Sequence, residues 1–145
     1  MNATDNVSVT ATFSETVNVS GAPTITLFVG SDNRTASYAS GHGSDDLVFQ
    51  YTIQATGTSG ENDSDGISIG ANALALNSGT ISDPAGNDGT LTHIAVSDNS
   101  SYKVDTTAPS VDNFTMSDTE LKIGDNATVT LKFSEPVCVL SLIHI

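Results

Sequence analysis

Nine of the fifteen residues in segment 5–19 recur without a gap in segment 125–139, at an offset of 120 positions. The identities are Asp5/Asp125, Asn6/Asn126, Val9/Val129, Thr10/Thr130, Phe13/Phe133, Ser14/Ser134, Glu15/Glu135, Val17/Val137 and Val19/Val139. A match at domain-length spacing marks a tandem array, so the chain must adopt a module that can be repeated end to end. Within the matched segment Val7, Val9, Ala11 and Phe13 alternate with Ser8, Thr10 and Thr12, the two-residue period of a strand with one buried face.

The same alternation runs through residues 24–29 and 47–54, and shorter strands are expected over 34–39, 67–69, 73–76, 90–96 and 102–104. Clusters of Gly, Asn, Asp and Ser separate them and supply turns. At least seven short strands with no helical interlude predict an all-β fold, an immunoglobulin-like antiparallel β-sandwich, with a barrel or jelly roll as the other architectures open to such a pattern. The proline of Asp105-Thr106-Thr107-Ala108-Pro109-Ser110 lacks a ladder donor and favours extended geometry before it, which suits a junction between modules.

This places one repeat at residues 1–105 and the start of the next at 106–139. The second copy carries an extended stretch before Asp125-Asn126 where the first has only Met1 to Thr4, so the first repeat is expected to lack its opening strand here. Residues 140–145, Leu-Ser-Leu-Ile-His-Ile, translate back to a transposon-end sequencing adapter and are expected to be adapter-derived.

With 17 acidic against 4 basic residues and a net charge of -13, nucleic acid and anionic membranes would repel the chain, whereas cations would relieve its self-repulsion. One cysteine, Cys138, excludes a disulfide framework, and no stretch approaches the roughly 20 apolar residues of a membrane-spanning helix.

Six motifs then occur in order: Phe13-Ser14-Glu15-Thr16-Val17, Ala22-Pro23-Thr24-Ile25-Thr26-Leu27, Tyr38-Ala39-Ser40-Gly41, Leu47-Val48-Phe49-Gln50-Tyr51-Thr52-Ile53, Asp83-Pro84-Ala85-Gly86-Asn87 and Val104-Asp105-Thr106-Thr107-Ala108-Pro109. Together they resemble the bacterial immunoglobulin-like repeats of giant cell-surface proteins, among them the family named after a cyanobacterial swimming-motility surface protein, and similar arrays in secreted adhesins of marine bacteria. The chain departs from that pattern at Pro84, where a small residue is usual, and at Cys138. The resemblance implies a non-catalytic, extracellular or cell-surface spacer in an adhesin, partnered by neighbouring repeats and often rigidified by calcium near junctions, with glycan contacts left to other domains.

Calcium takes six to eight oxygen ligands, which directs attention to three acidic groups. Glu61, Asp63 and Asp65 alternate before Gly66, although Asn72 stands where an EF-hand would carry its glutamate. Asp83 and Asp88 flank a Gly- and Asn-rich loop that equally suits a tight turn. Glu15 and Asp105 are expected to meet at the junction.

No catalytic residues are expected. His42 and His93 have no serine or carboxylate grammar around them and read as surface residues, and adjacent Asp45 and Asp46 on one strand point to opposite faces. A carbohydrate-binding sandwich is the alternative. It would need an exposed aromatic platform from Tyr38, Tyr51 and Tyr102, the only tyrosines in a chain without tryptophan, and Tyr51 reads as inward-facing.

Overall fold

The computed structural model describes residues 1–55, 61–117 and 120–139, so residues 140–145 lie outside the description. The chain is all-β and antiparallel, with sheets in a sandwich-like arrangement. It divides into two compact units, Met1–Thr107 and the segment beginning at Ala108, two residues beyond the boundary expected from the proline signal.

In the first unit, β1 (Asn6–Ser20), β2 (Thr24–Val29), β3 (Asp32–Ser40) and β4 (Ser44–Thr52) are the strands with the clearest alternation. Short pieces follow: β5 (Asn62–Asp63), β6 (Ser68–Ala75), β7 (Thr80–Ser82) and β8 (Val104–Asp105). The main sheet runs β6-β2-β3-β4-β1-β7, and β5 pairs separately with β8.

β1 is longer than its alternation suggests because it serves two ladders. Asn6 to Thr12 pair with β4, the register breaks between Thr12 and Val17, and Asn18 to Ser20 pair with β7. Such an irregularity bends a strand and lets it leave one ladder for another.

The core follows the two-residue period. Ile25, Leu27 and Val29 of β2 and Leu47 and Phe49 of β4 are buried, with Val7, Val17, Ala36, Ile53, Ile67, Ile81 and Val104 around them. Tyr38 meets Phe49 edge-on with ring centroids 5.8 Å apart, a geometry that adds stabilisation beyond area burial.

Two sequence expectations change. Segments 67–69 and 73–76 form one strand, β6, whose pairing with β2 skips between Ile25/Leu74 and Leu27/Ile69. The extra residues are accommodated by Asn72, whose φ of 56 is a left-handed conformation that asparagine tolerates. Segment 90–96 is not a ladder strand: it touches β6 through a bridge between Ile69 and Val96 and through Asn72 N–H donating to His93 O at 3.2 Å. The bulge interrupts the regular row of β6 donors that a full strand would need.

In the second unit β9 (Val111–Met116) pairs antiparallel with β10 (Val129–Phe133). Its β10 falls within the segment that matches β1, and the turn before the two strands recurs. Asn2 N–H donates to Asp5 Oδ2 at 2.7 Å, and at the same offset Lys122 N–H donates to Asp125 Oδ2 at 2.8 Å. Replacing Phe49 by Ala should empty the centre of the first unit and lower its unfolding free energy by about 3–5 kcal/mol, measured by denaturant titration.

Candidate functional site

The acidic loop at residues 61–66 is the most constrained polar site of the first unit. Glu61 and Asp63 are its two buried polar or charged residues, at 1% and 3% exposure. A buried carboxylate is tolerated only when paired and hydrogen-bonded, and both are.

Glu61 Oε1 accepts from Arg34 Nε, reaching across from β3, and from the hydroxyl of Tyr51 on β4. Its Oε2 accepts the backbone N–H of Gln54 at 3.0 Å. Arg34 is itself mostly buried and also reaches Asp32 at 2.9 Å, so one guanidinium holds the β2–β3 hairpin to the acidic loop. Burial opposes the Arg34 charge, but Glu61 overcomes this and raises its pKa above the ordinary value. The Tyr51 hydroxyl is pushed well above the ordinary phenol range, by burial first and then by its hydrogen bond to Glu61.

Asp63 is turned the other way, onto the backbone. It accepts from Gly30 N–H at 2.8 Å, Gly66 N–H at 2.6 Å and Asp65 N–H at 3.2 Å. Burial alone would raise its pKa, but the bonds from Gly30, Gly66 and Asp65 outweigh burial and hold it below the usual carboxylate value. Two of these donors must be glycine. Gly66 has φ +112 and an added Cβ would sit 2.0 Å from Asn99 O, while Gly30 has φ +57 and would bring a Cβ within 2.5 Å of Asn62 O.

The loop fixes the end of the unit. β5 pairs with β8 through Asn62↔Asp105 and Asp63↔Val104. Thr106 N–H donates to Asn62 Oδ1 at 3.0 Å, Thr106 Oγ1 donates to Glu61 O at 2.8 Å, and Asn62 Nδ2 donates to Thr107 Oγ1 at 3.1 Å. The chain is therefore held by side chain and backbone up to Thr107, the last residue of the unit.

Sequence spacing suggested that Glu61, Asp63 and Asp65 converge on one ion. Glu61 and Asp63 instead face separate donor sets, and Asp65 is exposed. With three N–H or O–H donors on each, Glu61 and Asp63 keep little acceptor capacity for an ion that takes six to eight oxygen ligands.

Asp83 accepts from the backbone and side-chain nitrogens of Asn87 at 2.8 and 2.7 Å, which keeps its pKa low and closes the turn at 83–87. Asp88 bridges to Ser82. Glu15, Asp83 and Asp88 line one groove along β1, whereas Asp105 belongs to the β5–β8 pair and accepts from Thr107 N–H at 3.0 Å. Among the described residues no three His, Cys, Asp or Glu side chains gather closely enough to hold a metal ion.

The donor set on Glu61 was partly visible in sequence. Arg34 is one of four basic residues against 17 acidic ones and lies in an expected strand, a signal for an ion pair whose partner depended on tertiary pairing. His93 is less exposed than a surface reading implied: its Nε2 accepts Ala73 N–H at 2.8 Å and its Nδ1 lies 2.8 Å from Ile94 O. Asp46 accepts from Thr12 Oγ1 at 2.6 Å, and His42 Nδ1 lies beside the Val19 backbone. No family model, curated protein or solved structure matches the chain.

Two measurements test this site. Because the folded pKa of Asp63 is depressed, its contribution to stability is present above the unfolded value of about 4 and is lost as pH falls through the lower folded value. Asp63→Asn should therefore flatten the acid limb of a stability-versus-pH curve below about pH 4. For Tyr51 the folded pKa is raised, so its contribution is present below about pH 10 and lost as pH rises further. In an alkaline absorbance titration Tyr51→Phe should remove the component that appears only with unfolding.

Proposed function

We propose that the chain is a non-catalytic spacer repeat of a long bacterial surface adhesin, and that its stiffness comes from the buried acidic clamp holding the exit strand. The observation that carries this reading is the continuous set of bonds from Glu61 and Asn62 to Asp105, Thr106 and Thr107. A spacer must transmit orientation and load from one module to the next, and it can do so only if its terminal strand is fixed to its core. An exit segment held to its last residue meets that requirement, and the repeat of residues 5–19 at 125–139 supplies the next module.

On this proposal calcium acts through the exposed carboxylates Glu15, Asp65, Asp88 and Asp105, because Glu61 and Asp63 are buried and each already accepts three hydrogen bonds. The sugar-binding alternative has less support. Tyr38 packs on Phe49 and the Tyr51 hydroxyl is bound to Glu61, so neither ring is available as a flat exposed platform.

The test is small-angle scattering and thermal unfolding of two complete repeats, with calcium, magnesium or chelator. The wild-type pair should stay extended in chelator, and Glu61→Gln should lower the first unit's stability by about 3 kcal/mol and shorten the mean end-to-end distance, since it leaves Arg34 without its charged partner. An extended form that collapses in chelator, with Glu61→Gln no different from wild type, would move the stiffness to calcium. Retention on a glycan array would favour the sugar-binding reading.

A further inference from the structure

The first unit contains a groove of about 620 Å³ between β1 and segment 89–96. Its apolar lining includes Val9, Ala11, Phe13, Leu74, Leu91 and Ile94. Ladder geometry explains why this groove is a strand-shaped vacancy in the pairing of β1. Ile53 N–H donates to Asp5 O at 2.9 Å, and Asp5 lies opposite Ile53 in the register that pairs Asn6 with Thr52. Backbone bonds in an antiparallel pair alternate, so Val7, Val9 and Ala11 exchange bonds with β4 while Ser8, Thr10 and Thr12 direct theirs away from it. Among the described residues Asn6 to Thr12 have a ladder to β4 alone.

The second unit shows what such an edge takes. Ser117 N–H donates to Thr128 O at 2.9 Å, in the register that pairs Val129 with Met116. By the same alternation Thr128, Thr130 and Lys132 bond to β9, and subtracting the repeat offset of 120 gives Ser8, Thr10 and Thr12. These are the residues of β1 whose backbone groups face away from β4. Two independent hydrogen bonds, one in each unit, thus agree on the donors and acceptors an added strand would meet.

The side chains agree as well. Residues opposite each other in a ladder point to one face. In the second unit Met116 stands opposite Val129, Phe114 opposite Leu131 and Val111 opposite Phe133. Transferred by the offset, those three would enter the groove beside Val9, Ala11 and Phe13. In the chain by itself β9 has every residue exposed, with Phe114 at 65% and Met116 at 66%. A two-stranded ribbon with an uncovered apolar face is marginal in water. One molecule therefore carries both an apolar groove beside a strand edge and an exposed apolar strand of matching register.

We propose that the groove is a strand-docking surface whose occupant is β9 of a second copy of this chain, antiparallel to β1, with Met116 opposite Val9 and Phe114 opposite Ala11. The contact joins two different surfaces, so each copy offers one groove and one strand and is able to engage a further copy at either. It stands independently of the spacer reading.

The test uses the full chain, with reductant to keep Cys138 from forming disulfides, and analytical ultracentrifugation over a dilution series. Wild type should rise from monomer to larger species with concentration. The double substitution Phe114→Asp with Met116→Asp lies on exposed positions outside the first unit and should hold the chain at monomer mass throughout. A labelled synthetic peptide of residues 110–117 should bind that double variant saturably, and the peptide carrying the two aspartates should not. Thr10→Pro removes an N–H directed away from β4 and should abolish peptide binding while circular dichroism reports the sheet intact. Should Thr10→Pro unfold, the two peptides on the double variant decide the matter alone. A wild-type chain that stays monomeric, association that survives the double substitution, or equal binding of both peptides would overturn the proposal.

Discussion

The first unit depends on what is done with one buried negative charge. An isolated carboxylate in an apolar interior is too costly to keep ionised, and Glu61, at 1% exposure, is kept by three donors from three parts of the chain. Arg34 comes from β3, Tyr51 from β4 and Gln54 from the segment after β4. The charge does not add much stability over an apolar core of the same shape, since desolvation consumes most of the attraction. What it adds is a condition: the three elements must be in place together or the charge is stranded. Removing one partner is therefore far more damaging than the net worth of the pair.

Asp63 extends the same logic from side chains to backbone. Its carboxylate takes N–H groups of Gly30 and Gly66 that the turn geometry leaves without ladder partners. Both glycines adopt left-handed backbone and both abut a carbonyl where a Cβ would not fit. Between Glu61 and Asp63 lies Asn62, which spends its side chain on Thr106 and Thr107. Three consecutive residues thus link the hairpin, the core strands and the exit strand. A chain with net charge -13 has found partners for its two most buried acids within its own fold.

Strand alternation made the sheet legible from sequence, because burial of Ile25, Leu27, Val29, Leu47 and Phe49 leaves a two-residue signature that needs no tertiary knowledge. β5 and β7 left none, since two- and three-residue strands are defined by what they pair with, and the strand expected over 102–104 overlaps β8 at Val104 alone. Segment 90–96 carried a strand signature yet forms no ladder, because the bulge at Asn72 breaks the row of β6 donors it would need. For the candidate site, residue identities were legible and partners were not. Spacing said that residues 61, 63 and 65 share a side of an extended chain; it could not say that Arg34 and the glycine turns reach two of them first.

The groove also bears on how modules could follow one another. The exit strand β8 lies at the start of the first unit, where Asp105 N–H donates to Met1 O at 3.0 Å, five residues before β1 begins. A strand docked in the register of β9 on β10 starts opposite Phe13 and finishes opposite Val9, so it enters at the far end of this half of β1 and runs toward the exit. A path that enters a module at one end and leaves it at the other is what an array of spacers needs. A filled groove gives the chain that path, and without it the free edge of β1 is a sticky end for whichever strand of the right register comes first.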